Sequence, residues 1–137
     1  MRATVASGIL AASLGTALMG SASAHHSLAA EFDTRKIVHL VGVVSQVDWA
    51  NPHIYIHVDV KGPKGKLDSW RLECVPTAMA RKSGITRTAL LGDGSEVRID
   101  AYPARDGTPM LGYLAKISYK DGHHYQFGSD VPTPAAK

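Results

Sequence analysis

The sequence predicts an all-β domain with one short helix: a small, five- to six-stranded antiparallel barrel. Three observations carry that expectation. Val- and Ile-rich segments alternate apolar and polar residues with a period of two, the pattern of strands with one buried face. Turn-forming Gly, Pro, Asn and Asp residues separate these segments at short intervals. The period breaks once, after Pro76, where a short helical stretch interrupts the strands.

The elements follow in order. Residues 36–49, KIVHLVGVVSQVDW, read as a long first strand, and Gly42 near its middle signals a bend or the close approach of another backbone. Asn51-Pro52 ends it in a turn. Residues 53–60 alternate cleanly, with Ile54, Ile56, Val58 and Val60 on one face and His53, Tyr55, His57 and Asp59 on the other. The stretch KGPKG at 61–65 is a hairpin connection into a third strand at 66–75.

Residues 77–84 fit a short helix, with Thr77 as N-cap and Gly84 as its stop. A second helical turn or loop at 85–94 ends in Gly-Asp-Gly. Strands are expected again at 95–102, with Val97, Ile99 and Ala101 inward, and at 110–120 after a loop at 103–109. Asp121-Gly122 turns the chain into a short last strand at 123–128, and residues 129–137 form a Pro-containing tail expected to be disordered. Three strands, a helix, then two strands is the element order of an OB-like barrel; a small β-sandwich with the same strands is the alternative.

The chain of 137 residues begins with the three parts of a secretory signal: Arg2, an apolar run through Ile9, Leu10, Leu14, Leu18 and Met19, and Ala-Ser-Ala at 22–24. The run is shorter and more broken than the ~20 apolar residues of a membrane span, so cleavage after Ala24 is expected, without a membrane anchor afterwards. The expected division is a signal at 1–24, an N-terminal segment at 25–36, one barrel domain at 37–128 and the tail. Export to the periplasm follows. The mature chain would carry a net charge of only +2, with its basic residues scattered, which argues against nucleic acid as a partner. Cys74 stands alone, so no internal disulfide forms; its spacing from Trp70 and Leu72 makes it a buried strand cysteine.

The sequence holds no Gly-x-Ser-x-Gly, no phosphate loop and no Cys-x-x-Cys, and it shows no acid/base or nucleophile constellation, so the reading leans away from an enzyme. What it does hold is seven histidines: His25, His26, His39, His53, His57, His123 and His124. Imidazole is the commonest protein ligand for copper and zinc. His53 and His57 share a strand face but sit about 13 Å apart at ~3.3 Å per residue, too far to chelate one ion.

His25 differs from the others. Cleavage after Ala24 would free its α-amine, whose pKa of about 7.7–8.0 lets it bind a metal near neutral pH. Amine and Nδ1 then close one chelate ring, and a third nitrogen completes a T-shaped histidine brace, an all-nitrogen site that favours Cu(II). The competing expectation is that His25 and His26 lie in a solvated chain end. A motif with histidine at mature position three is not met, because that residue is Ser27.

Several motifs occur together: His25-His26-Ser27, Phe32-Asp33, Asp48-Trp49-x-Asn51-Pro52-His53, Trp70-x-x-Glu73, Gly92-Asp93 and Ala104-Arg105-Asp106-Gly107. In these the chain resembles a family of small exported bacterial proteins, domain-of-unknown-function family 6152. The resemblance implies compartment and size and groups the histidine pair with His53; it implies no activity. The resulting expectation is a periplasmic protein that binds copper in metal handling or sensing, through His25 with His53 or His26, and with Glu73 or Asp106 as supporting groups. A metal-free module binding a periplasmic protein or small ligand is the first alternative, and a copper-dependent oxidative enzyme the second.

Overall fold

The computed structural model describes residues 27–128. The expected signal, His25, His26 and the C-terminal tail therefore lie outside the described residues. The described residues form six strands: β1 (Val38–Trp49), β2 (His53–Lys61), β3 (Leu67–Pro76), β4 (Val97–Pro103), β5 (Leu111–Ser118) and β6 (His124–Gln126). Three short helices accompany them: α1 (Leu28–Glu31), α2 (Thr77–Lys82) and α3 (Arg87–Leu91).

The strands pair in the order β3-β2-β1-β4-β5-β6, and β3 also pairs with β5, which closes the first five into a barrel. This closing contact is parallel, Arg71–Glu73 against Leu111–Tyr113, so the barrel is mixed rather than wholly antiparallel. Period-two patterning reports which face a residue occupies, not the direction of a distant partner, and here the direction follows from closure.

β1 makes the barrel possible by serving two neighbours. Its first half pairs with β4 from Val38 to Gly42, and its second half pairs with β2 from Gly42 to Trp49. Gly42 is the residue shared by both ladders, and a Cβ there would collide with the backbone carbonyl of Asp59. A register shift between Val44 and Gln46 adds to the bend. The interior is filled by the alternating residues: Val44, Val47, Ile54, Ile56, Val58, Leu72, Val97, Ile99, Leu114 and Ile117 are all buried. Cys74 lies among them, and burial pushes its thiol up to about 12.

α2 and α3, with the turn between them, span the β3-to-β4 connection; the helices contribute Ala80 and Leu90 and the turn contributes Ile85 to the same core. Thr86 caps α3, accepting from Ala89 N at 3.1 Å. Thr77 does not cap α2. It is the first helical residue, Pro76 takes the cap position, and the Thr77 hydroxyl instead donates to Asn51 Oδ1 at 2.5 Å. That bond ties the β1–β2 turn to the helix.

The N-terminal segment packs on the outside of the barrel. Phe32 forms a bridge with Ala104 and builds a second small core with Tyr102 and Ala115, flanked by Leu28, Ile37 and Tyr113. Arg105 clamps α1: its Nε donates to Ala29 O at 2.8 Å, while its backbone N–H donates to Glu31 O at 2.8 Å. Among the described residues, no helix is long and apolar enough to cross a membrane.

Candidate functional site

β2 and β3 are joined by a tight connection around the 3-10 turn Pro63–Gly65, which sets Lys61 opposite Leu67. Counting back along the ladder brings Tyr55 opposite Glu73 and His57 opposite Arg71. All four side chains come from the polar face of the alternation, so they stand together on the outer wall.

Glu73 is the centre of this group. Its Oε1 lies 2.7 Å from His53 Nδ1, and its Oε2 accepts a 3.0 Å hydrogen bond from Tyr55 OH. The Glu73 side chain is only 13% exposed and that of His53 34%, so the contact is shielded on one side and open on the other. The Arg71 guanidinium lies over the Tyr55 ring, 3.9 Å from its centroid. Burial and the adjacent Glu73 carboxylate push the Tyr55 hydroxyl above its usual range.

Two clefts meet at Tyr55 and Arg71. One, of about 510 Å³, is bounded by Glu31, Phe32, Glu73, Arg105 and Asp106. The other, of about 560 Å³, is bounded by Trp49, Pro52, His53 and Arg87. Asp106 therefore faces the same cleft as Glu73. Its carboxylate accepts the backbone N–H and hydroxyl of Thr108 at 2.9 and 2.7 Å, which holds it below the usual carboxylate range.

The structure thus brings Glu73 directly to His53 and puts Asp106 in its own turn on the neighbouring cleft. His57 faces Asp48 instead, Nε2 to Oδ2 at 2.8 Å. His39 contacts Asp100 at 2.6 Å, and His123 contacts Asp121 across the hairpin turn and stacks on Tyr119. His124 is exposed on β6. Among the described residues, no group of three or more His, Cys, Asp or Glu side chains converges to hold a metal ion. His53 and Glu73 form a pair, with no third such side chain beside them among the described residues.

The alternation already puts Tyr55 on the face of His53, but sequence reasoning did not single out Tyr55 or Arg71. The usable signal was the hairpin register. With Lys61 opposite Leu67, both pairings follow by counting.

No curated protein and no solved structure matches the chain. A family model, described as "Family of unknown function (DUF6152)", matches residues 14–112, a span that holds His25 and His26, the whole β1–β3 wall and the Arg105 clamp. The chain belongs to this family of unknown function.

Proposed function

We propose that the protein is exported to the periplasm and binds one Cu(II) ion through a mature N-terminus beginning at His25, in copper handling or sensing. The α-amine and Nδ1 of His25 supply two ligands, and Nε2 of His53 supplies the third, with His26 as the alternative to His53.

The observation that carries this reading is the contact of His53 Nδ1 with Glu73. A metal-binding imidazole commonly turns its other ring nitrogen to a carboxylate, which fixes the tautomer and makes the ligating nitrogen more basic. A carboxylate at Nδ1 favours the proton there and leaves the lone pair on Nε2. Tyr55 in turn orients Glu73, so the support is two residues deep.

Chain reach also favours the reading. His25 precedes Ser27 by two residues, about 7 Å of extended chain. Arg105 holds α1 against the barrel, and Ala30 and Glu31 line the cleft that also contains Tyr55 and Glu73. The donor set of amine and imidazole suits Cu(II) over the other divalent ions of the series.

The test is to express the protein with its own leader, recover it from the periplasm without an N-terminal tag, and establish the first residue by mass spectrometry. Titration with Cu(II) should then give one site whose electron paramagnetic resonance shows nitrogen ligands. Three glycines added before His25, which leave no histidine within the first three positions, should weaken binding by at least about tenfold, through loss of the amine chelate. Equal affinity with and without those three glycines overturns the proposal. His53→Ala distinguishes His53 from His26 as the third ligand.

A further inference from the structure

We infer that the cleft beside the β1–β2 turn binds a small carboxylate with a flat apolar body, held by Arg71 and Arg87, independently of any metal.

The cleft, of about 560 Å³, falls within the size range of small-molecule sites. The side chains that argue for a ligand are Trp49, Pro52, Arg71 and Arg87. Arg71 is anchored by its contact over the Tyr55 ring, an interaction that occupies the face of the guanidinium and none of its N–H groups. Among the described residues, no acceptor takes a hydrogen bond from that guanidinium. Arg87 is anchored differently: its Nε donates to Val47 O at 3.0 Å, which fixes the plane and leaves both terminal nitrogens. Two oriented forks therefore line one cleft with donors to spare, and a carboxylate is the anion whose planar geometry a guanidinium matches with paired hydrogen bonds.

The nearby acids do not consume those donors. Asp48 lines the cleft, but its oxygens serve His57 Nε2 and the Gln46 amide. Those two contacts, with Gln46 the larger influence, and the nearby charge of Arg71 hold its carboxyl below the usual range, without a hydrogen bond from Arg71. Glu73 is engaged by His53 and Tyr55. Beside Asn51 and His53 the wall carries an apolar strip: Trp49 is half-buried, and Ala50 and Pro52 are exposed beside it. A flat hydrocarbon body covers that wall while its carboxylate reaches the guanidinium groups.

The experiment uses the metal-free full chain, dialysed against EDTA, so its outcome does not depend on the copper reading. Sodium 3-phenylpropionate is titrated while the Trp49 indole and the Arg71 and Arg87 side-chain resonances are followed by NMR. Saturable shifts are expected, with 3-phenylpropanamide and acetate each binding at least about tenfold more weakly. Arg71→Met should weaken binding by a similar factor, and Arg71→Lys by less, without shifting Tm. No saturation up to about 10 mM overturns the inference. So does an amide that binds as well as the acid, inorganic phosphate that matches the acid, or an Arg71→Met variant that binds like the parent. The ligand comparison needs no variant, so it stands if a substitution disturbs folding.

Discussion

His53 Nδ1 and Glu73 Oε1 lie 2.7 Å apart on neighbouring strands, although twenty positions separate them in sequence. β2 and β3 fold back through a short connection, and a register irregularity between His53 and Tyr55 turns His53 towards the carboxylate. If His53 binds copper, Glu73→Gln should reduce Cu(II) affinity about 10- to 100-fold, because the amide supports the imidazole less well than the carboxylate. Isothermal titration of both proteins measures this, with far-UV circular dichroism checking the barrel.

Gly42 should tolerate no side chain. Its Cβ would meet the Asp59 carbonyl, a backbone atom held in the β1–β2 ladder. Gly42→Ala is expected to cost about 1–3 kcal/mol, the usual range for overpacking. Urea unfolding should show a lower midpoint with an unchanged slope.

Arg105→Ala should loosen α1 without opening the barrel. It removes side-chain bonds to Ala29 O and Phe32 O, but Phe32 stays packed on Tyr102 and Tyr113. The expected loss is about 1 kcal/mol, because the guanidinium is exposed. Hydrogen exchange should accelerate at the amides of Ala30 and Phe32 and remain slow in β1 and β2.

Cys74 supplies a pH dependence. Burial raises its thiol from an ordinary value of 9.0 to about 12 in the folded chain. Between those values the unfolded thiol ionises while the folded one stays protonated. Its contribution is therefore complete below about pH 9 and declines by about 1.4 kcal/mol per unit as pH rises towards 12. Cys74→Ala should flatten the alkaline part of the stability profile. In the native parent, the thiol should resist iodoacetamide at pH 8 and react on unfolding.

Asp48 acts in the opposite direction. Its contacts with Gln46 and His57 lower its folded pKa, so its contribution is present above the ordinary carboxylate value and is lost as pH falls through the lowered one. Asp48→Asn should thus reduce stability at pH 7 and make little difference near pH 2, as thermal melts at both values would show.

Much of the barrel is legible in the sequence. Ile54, Ile56 and Val58 alternate because strand side chains point to opposite faces, and all three are buried. Gly42 marked the close approach, and the residues of β4 faced inward as expected. Thr77 was misread because Pro76 already supplies the extended cap residue, leaving the hydroxyl to reach Asn51. The anchoring of the N-terminal segment was not legible. Phe32 meets Tyr102, and Arg105 meets Ala29, across seventy or more positions, and no local period encodes such contacts.

By itself the sequence determined the strands, their inward faces, the order of elements and the family, because these rest on local periodicity, turn chemistry and motifs. Tertiary structure alone decided the partners: Glu73 at His53, Arg71 over Tyr55, and the parallel contact of β3 with β5 that closes the barrel. Those depend on register and closure, which bring distant residues to one place and which no window of sequence contains.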